Sequence, residues 1–361
     1  MKHPEFIDIE PYFDEQIPEA IQRILADPVL PMHVKWVNPN VDYNKFCEHL
    51  AQVTTVDEMQ RNVMIPMLIH ILRDTARYFT YEGLEHLDPK KQYLFVSNHR
   101  DITLDAAFLN MILNRNGIPT AEIAFGDNLI ANKLIGELAR CNKMFPIARS
   151  GSRKDFYKAS LLTSSYIRYC ITEKGNNVWI AQRNGRTKDG NDRTEPGLLK
   201  MFSMSGPKDF EENMNQLHIV PVAVSYEFEP CADRKVHEIH EVMENGIYTK
   251  SPTEDLESIM QGMHDQKRDI HFCICPPITP EEIHECAIAE SSDENISRSN
   301  AAYSALAQLI DRRIHTGFKI FPNNEQMYEL LKANSKEIPF NSEPDLMLHL
   351  YAAPVENKKM L

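Results

Sequence analysis

Apolar positions recur at helical steps through the first ninety residues. Met59, Val63, Met67 and Ile71 fall four apart and Tyr78 seven further on, which predicts a long helix over 56–87, imperfect at Pro66 and Gly83. Shorter helices are expected over 19–26 and 43–53. The pattern then changes. Tyr93-Leu94-Phe95-Val96-Ser97 is a short β-favouring run that ends at Asn98-His99, and an apolar helix follows over 104–113. The alternation continues with strands over 123–126, 144–148, 178–181, 218–226 and 270–275, and helices over 130–140, 156–170 and 298–315. Strands alternating with helices predict an α/β fold. Pro221 inside the 218–226 run points to an edge strand or a bulge. The Ser/Glu/Asp-rich stretch 290–297 reads as a loop. The expected organisation is a helical N-terminal region (1–90), an α/β domain (91–330) and a C-terminal tail (331–361).

Composition narrows the class. A formal net charge of −13 over 361 residues argues against a nucleic-acid partner. No run approaches the ~20 apolar residues of a spanning helix. The N-terminus lacks the apolar core of a secretory signal. Seven cysteines, scattered and without a Cys-x-x-Cys pair, argue against a disulfide scaffold or a zinc ribbon. The expected location is cytoplasmic. His271, Cys273 and Cys275 share a strand face, but no fourth ligand accompanies them, and they read as buried strand residues rather than a metal site.

The negative total hides a local excess of the opposite sign. Residues 140–154 and 174–200 hold eleven of the 39 bases and three of the 52 acids, a local charge of +8. Eight of the 13 glycines fall between 117 and 197, among them Gly151 and Gly185 beside arginines. Arginine in a glycine-containing loop suits phosphate, because a planar fork and free backbone N–H groups converge on its oxygens.

Four blocks carry candidate chemistry. In Ser97-Asn98-His99-Arg100-Asp101-Ile102-Thr103-Leu104-Asp105, a histidine at a strand end precedes a carboxylate at the start of a helix. A carboxylate that accepts one ring N–H leaves the other nitrogen free to take a hydroxyl proton. Met144-Phe145-Pro146-Ile147-Ala148-Arg149-Ser150-Gly151-Ser152-Arg153-Lys154 places cations just past a strand. Trp179-Ile180-Ala181-Gln182-Arg183-Asn184-Gly185-Arg186-Thr187-Lys188 does the same. Ile219-Val220-Pro221-Val222-Ala223-Val224 is an apolar strand containing proline.

In this order, with Phe125-Gly126-Asp127-Asn128-Leu129 between the first and second, the blocks resemble the glycerolipid acyltransferases, the glycerol-3-phosphate and 1-acylglycerol-3-phosphate acyltransferase superfamily. The resemblance covers about residues 92–230. Where the family has Asn-His, four residues and Asp, this chain separates His99 from Asp105 by five. Gln182 stands at the family's Glu, Arg183 at its Gly, and Arg186 lies one residue late.

The resemblance implies a mixed sheet flanked by helices and an O-acyltransferase of phospholipid biosynthesis, with no metal or redox cofactor. The implied donor is an acyl thioester on coenzyme A or acyl carrier protein, and the acceptor a glycerol phosphate or lysophospholipid. His99 is then the base and Asp105 its orienter. Arg149, Arg153, Gln182, Gly185, Arg186 and Lys188 are substrate-binding candidates, with backbone N–H groups near Gly151 or Gly185 for the oxyanion. A lipid substrate also implies peripheral contact with the inner face of the cell membrane, for which residues 63–72 are the candidate, with a core helix as the alternative. The altered third block leaves a second reading open, a non-catalytic lipid or acyl-thioester binding protein on the same fold.

Overall fold

The computed structural model describes residues 3–148, 151–289, 298–334 and 342–361. Seven strands form one sheet: β1 Ala76–Glu82, β2 Leu94–Ser97, β3 Ala121–Gly126, β4 Met144–Ile147, β5 Asn177–Ala181, β6 Ile219–Tyr226 and β7 Arg268–Ile274, in the order β1-β7-β6-β2-β5-β3-β4. Every neighbouring pair is parallel except β6 and β7. The fold is a mixed α/β sheet flanked by helices.

The period-two alternation of a strand explains the two cores. Leu94 and Val96 of β2, with Val178, Ile180 and Ile219, pack on one face against Tyr166 and Ile167 of the helix Arg153–Tyr169 and Ile310 of the helix Arg298–Gly317. Phe95, Trp179, Val220 and Phe272 pack on the other face against Leu68 and Ile71 of the helix Ile65–Thr75 and Phe108 of the helix Leu104–Arg115. The latter helix is buried almost all round, which accounts for apolar residues on every side of it, with Asp105 and Asn110 buried among them. A third cluster joins Ile17, Ile21 and Ile24 to Leu50, Met59 and Leu134.

Three expectations need correction. The helix expected over 56–87 ends at Thr75, and residues 76–82 form β1 beside β7. The run Tyr78-Phe79-Thr80-Tyr81 is aromatic and β-branched, and Tyr78, the last member of the helical stripe, is exposed. The sheet therefore takes its first strand from the N-terminal side of residue 90. Pro66 does not interrupt the helix but begins it, following a wide π-type turn over Met59–Met64, where a missing N–H costs nothing. Pro221 lies in an interior strand rather than at an edge. Its carbonyl accepts from the Cys275 N–H (3.0 Å) as β7 ends, so its missing donor costs one bond at the end of that ladder.

The segment 63–72 packs inward through Leu68 and Ile71, each 3% exposed. Among the described residues, no helix is long and apolar enough to cross a membrane. The C-terminal helix Glu343–Lys359 is docked, with Leu346 and Leu350 against Val236 of the helix Ala232–Asn245. Residues 290–297, expected as a loop, lie outside the described residues.

Candidate active site

Strands β2 to β6 run parallel, so their C-terminal ends share one edge of the sheet, the usual place for a ligand in such folds. His99 follows β2 on that edge, and its Nδ1 lies 3.0 Å from Asp105 Oδ2. Asp105 is in the first turn of the helix Leu104–Arg115, where the helix dipole favours a carboxylate. Its Oδ2 also accepts from the backbone N–H of Arg100 (2.6 Å) and of Asp101 (2.9 Å), while Oδ1 accepts from the Tyr226 hydroxyl (2.9 Å). Four donors hold this fully buried side chain, so it meets the imidazole as a fixed acceptor. With Nδ1 engaged, Nε2 is the nitrogen left for substrate. The Trp179 ring stands edge-on to the imidazole at 5.7 Å.

Asp101, the nearer carboxylate in sequence, does other work. Its Oδ1 accepts from the N–H groups of Thr103 (2.9 Å) and Leu104 (2.8 Å), an Asx-type turn that leads into the helix that carries Asp105.

A buried polar network fixes the His99 loop from behind. Asn98 donates to Asp192 Oδ2 (2.9 Å) and to the Val224 carbonyl (2.9 Å), and accepts from the Val224 N–H (2.7 Å). Arg100 reaches Asp192 (2.6 Å) and Glu229 (3.3 Å), and Lys235 reaches Glu229 (2.5 Å) and the Arg100 carbonyl (2.6 Å). Burial opposes the Arg100 charge, but Asp192 and Glu229 overcome it and hold Arg100 above its ordinary pKa. Burial pulls Lys235 below its ordinary value despite Glu229. Burial first, and then Asp105, push the Tyr226 hydroxyl well above its ordinary value, which keeps it a donor. Neither this network nor Tyr226 was expected; Asn98, beside His99 in the first block, was the available clue.

His99 opens onto a cavity of about 730 Å³, within the usual range for small-ligand sites. Met64, Met67, Ile123, Phe125 and Met201 give it apolar walls. Arg153, Arg183, Arg186 and Lys200 give it a cationic side, and Gly185 and Lys188 also line it. Arg186 is 8% exposed, and its Nη1 has no hydrogen-bond partner, as is true of Arg183 Nε. Lys188 is already ion-paired with Glu238. Gly185 lines the cavity with φ +77°, a turn that suits glycine. Gln182 is fully buried away from the cavity wall, where its side-chain oxygen accepts from Thr194 Oγ1 (3.3 Å). Arg149 lies outside the described residues. The structure thus brings His99, Asp105, Arg153, Gly185 and Arg186 to one site, engages Lys188 elsewhere, and withdraws Gln182.

Residues 78–225 match the family model described as Acyltransferase. This segment holds β2 to β5, the His99–Asp105 pair and the basic loops, the same stretch on which the sequence resembles the glycerolipid acyltransferases. No curated protein matches the chain in sequence. Among solved structures it is similar to the 1-acyl-sn-glycerophosphate (LPA) acyltransferase PlsC from Thermotoga maritima, at 9% identity and a TM-score of 0.37, over 81% of this chain and 94% of that one. His99 and Asp105 lie 3.0 Å apart across a turn in which Asp101 accepts from the Leu104 N–H.

Proposed function

We propose that the chain transfers a fatty acyl group from an acyl thioester to the hydroxyl of a phosphorylated glycerol or lysophospholipid, with His99 as general base. The observation that carries this reading is the buried His99–Asp105 pair at the wall of an apolar cavity whose other side is cationic. His99 Nε2 takes the acceptor hydroxyl proton as the oxygen attacks the thioester carbonyl. Asp105 stabilises the imidazolium. Backbone N–H groups in the Gly185 turn are the candidate donors to the tetrahedral oxyanion. Collapse breaks the C–S bond, and the imidazolium returns its proton to the departing thiolate, which balances the reaction without a covalent enzyme intermediate. Arg186 and Arg183, with atoms that lack partners, hold the acceptor phosphate, and Arg153 approaches it from the rim. The donor carrier is coenzyme A or acyl carrier protein, and the apolar walls take the acyl chain. The same arrangement without turnover is the alternative, a lipid or acyl-thioester binding protein. A donor-by-acceptor matrix separates the two: an ester product together with released thiol supports transfer, and binding without either product supports the alternative.

A further inference from the structure

The helix Arg153–Tyr169 begins outside the body of the protein. Residues 153–158 are all exposed, and its first buried position is Thr163. This projecting start carries large apolar groups: Phe156 is 49% exposed, Tyr157 61% and Leu161 37%. Arg153, Lys154 and Lys158 lie among them. The one acid there, Asp155, faces back to Ser152 Oγ at 2.6 Å, and no carboxylate pairs with Lys154 or Lys158 among the described residues. Arg153, Phe156 and Tyr157 also line the cavity that holds His99.

Two turns of helix that present aromatic and aliphatic groups beside unpaired cations, at the mouth of an apolar cavity, need an occupant that accepts both. An anionic bilayer surface does: rings and Leu161 enter at headgroup level while the cations meet lipid phosphates. An acidic protein would match the cations but not the apolar groups. The segment 63–72 offers less, because Leu68 and Ile71 are packed on the sheet and Ile69 is its one exposed large apolar side chain. We infer that residues 153–161 are the membrane-docking surface of this chain and bring the cavity mouth onto anionic lipid. The choice of lipid as occupant rests on the acyl-transfer reading; the binding itself does not.

Flotation of the full chain with phosphatidylcholine vesicles, with and without phosphatidylglycerol, tests this. Wild type should float with the anionic vesicles and release in high salt. Lys154→Ala/Lys158→Ala should weaken that binding about thirtyfold, and Phe156→Ser should weaken binding further, on both vesicle types. The lysine pair lies outside the cavity, so turnover of a water-soluble acceptor should be unchanged in that variant, which also shows that it is folded. Wild type that stays in solution, a lysine variant that floats as wild type does, or lysines that serve only to bind acidic carrier protein would each overturn the inference. Flotation without turnover would leave it standing and count against the acyl-transfer reading; turnover without flotation would do the reverse.

Discussion

Asp105→Asn isolates the charge of the orienting carboxylate from its geometry. Oδ2 receives three donors, His99 Nδ1 and two backbone N–H groups, while Oδ1 receives the Tyr226 hydroxyl. An asparagine has one acceptor oxygen, and the three donors dictate that it takes the Oδ2 place. Its amide nitrogen then faces the Tyr226 oxygen, which can accept by turning its proton away. The variant should therefore fold, with stability within about 1–2 kcal/mol of wild type, and should keep the imidazole in the same tautomer. What it loses is the negative charge beside the imidazolium that forms as His99 takes the proton. Charge centres about 4 Å apart at an effective dielectric of about 20 interact by about 4 kcal/mol, or roughly a thousandfold in kcat. Steady-state kinetics with acceptor varied, together with thermal melts, read both halves. A loss under tenfold in a folded variant would mean that no imidazolium develops at His99. A variant that fails to fold would refute the hydrogen-bond assignment instead.

Other outcomes follow from neighbouring groups. Arg186→Ala should raise the KM for a phosphate-bearing acceptor at least about tenfold, because Arg186 Nη1 has no partner within the protein and is open to the phosphate; an unchanged KM would remove Arg186 from the phosphate site. In Gly262→Ala, the new Cβ would lie 2.1 Å from Asp101 Oδ2, so a loss of about 1–3 kcal/mol in stability and a fall in kcat should appear together as the Asp101 turn shifts. Full activity and stability would show that the turn yields freely. Lys267 is fully buried, and burial lowers its pKa to about 8. Between about 8 and 10.4 the unfolded chain keeps this proton and the folded chain does not, so stability rises with pH across that window, by about 3 kcal/mol. Lys267→Met should abolish this rise; denaturant melts whose difference from wild type stays constant from pH 7 to 10 would contradict it.

The central strands were legible because each is a short apolar run bounded by a helix or a turn, a pattern that a doubly covered sheet imposes. β1 was not, because Tyr78 continues the helical stripe by chance of spacing, and only the edge of β7 turns that segment into a strand. The His99–Asp105 pair was legible because both residues sit within one loop and one helical turn. The network behind it was not: Asp192 is 92 residues from Arg100, and Glu229 is 129 away. Lys188 looked available for phosphate because Glu238, its partner, lies 50 residues on. Tyr226 sits at the C-terminal end of β6, next to the fourth block, where an apolar strand gives no hint that its last hydroxyl turns to a carboxylate across the site.

The most direct test is the His99→Ala variant, assayed in the best donor and acceptor pair and followed by both thiol release and ester product. Wild type should form both in equal amounts. The variant, with melting temperature and donor binding retained, should form neither above the uncatalysed rate. Turnover near the wild-type rate in that variant would contradict the account at its centre.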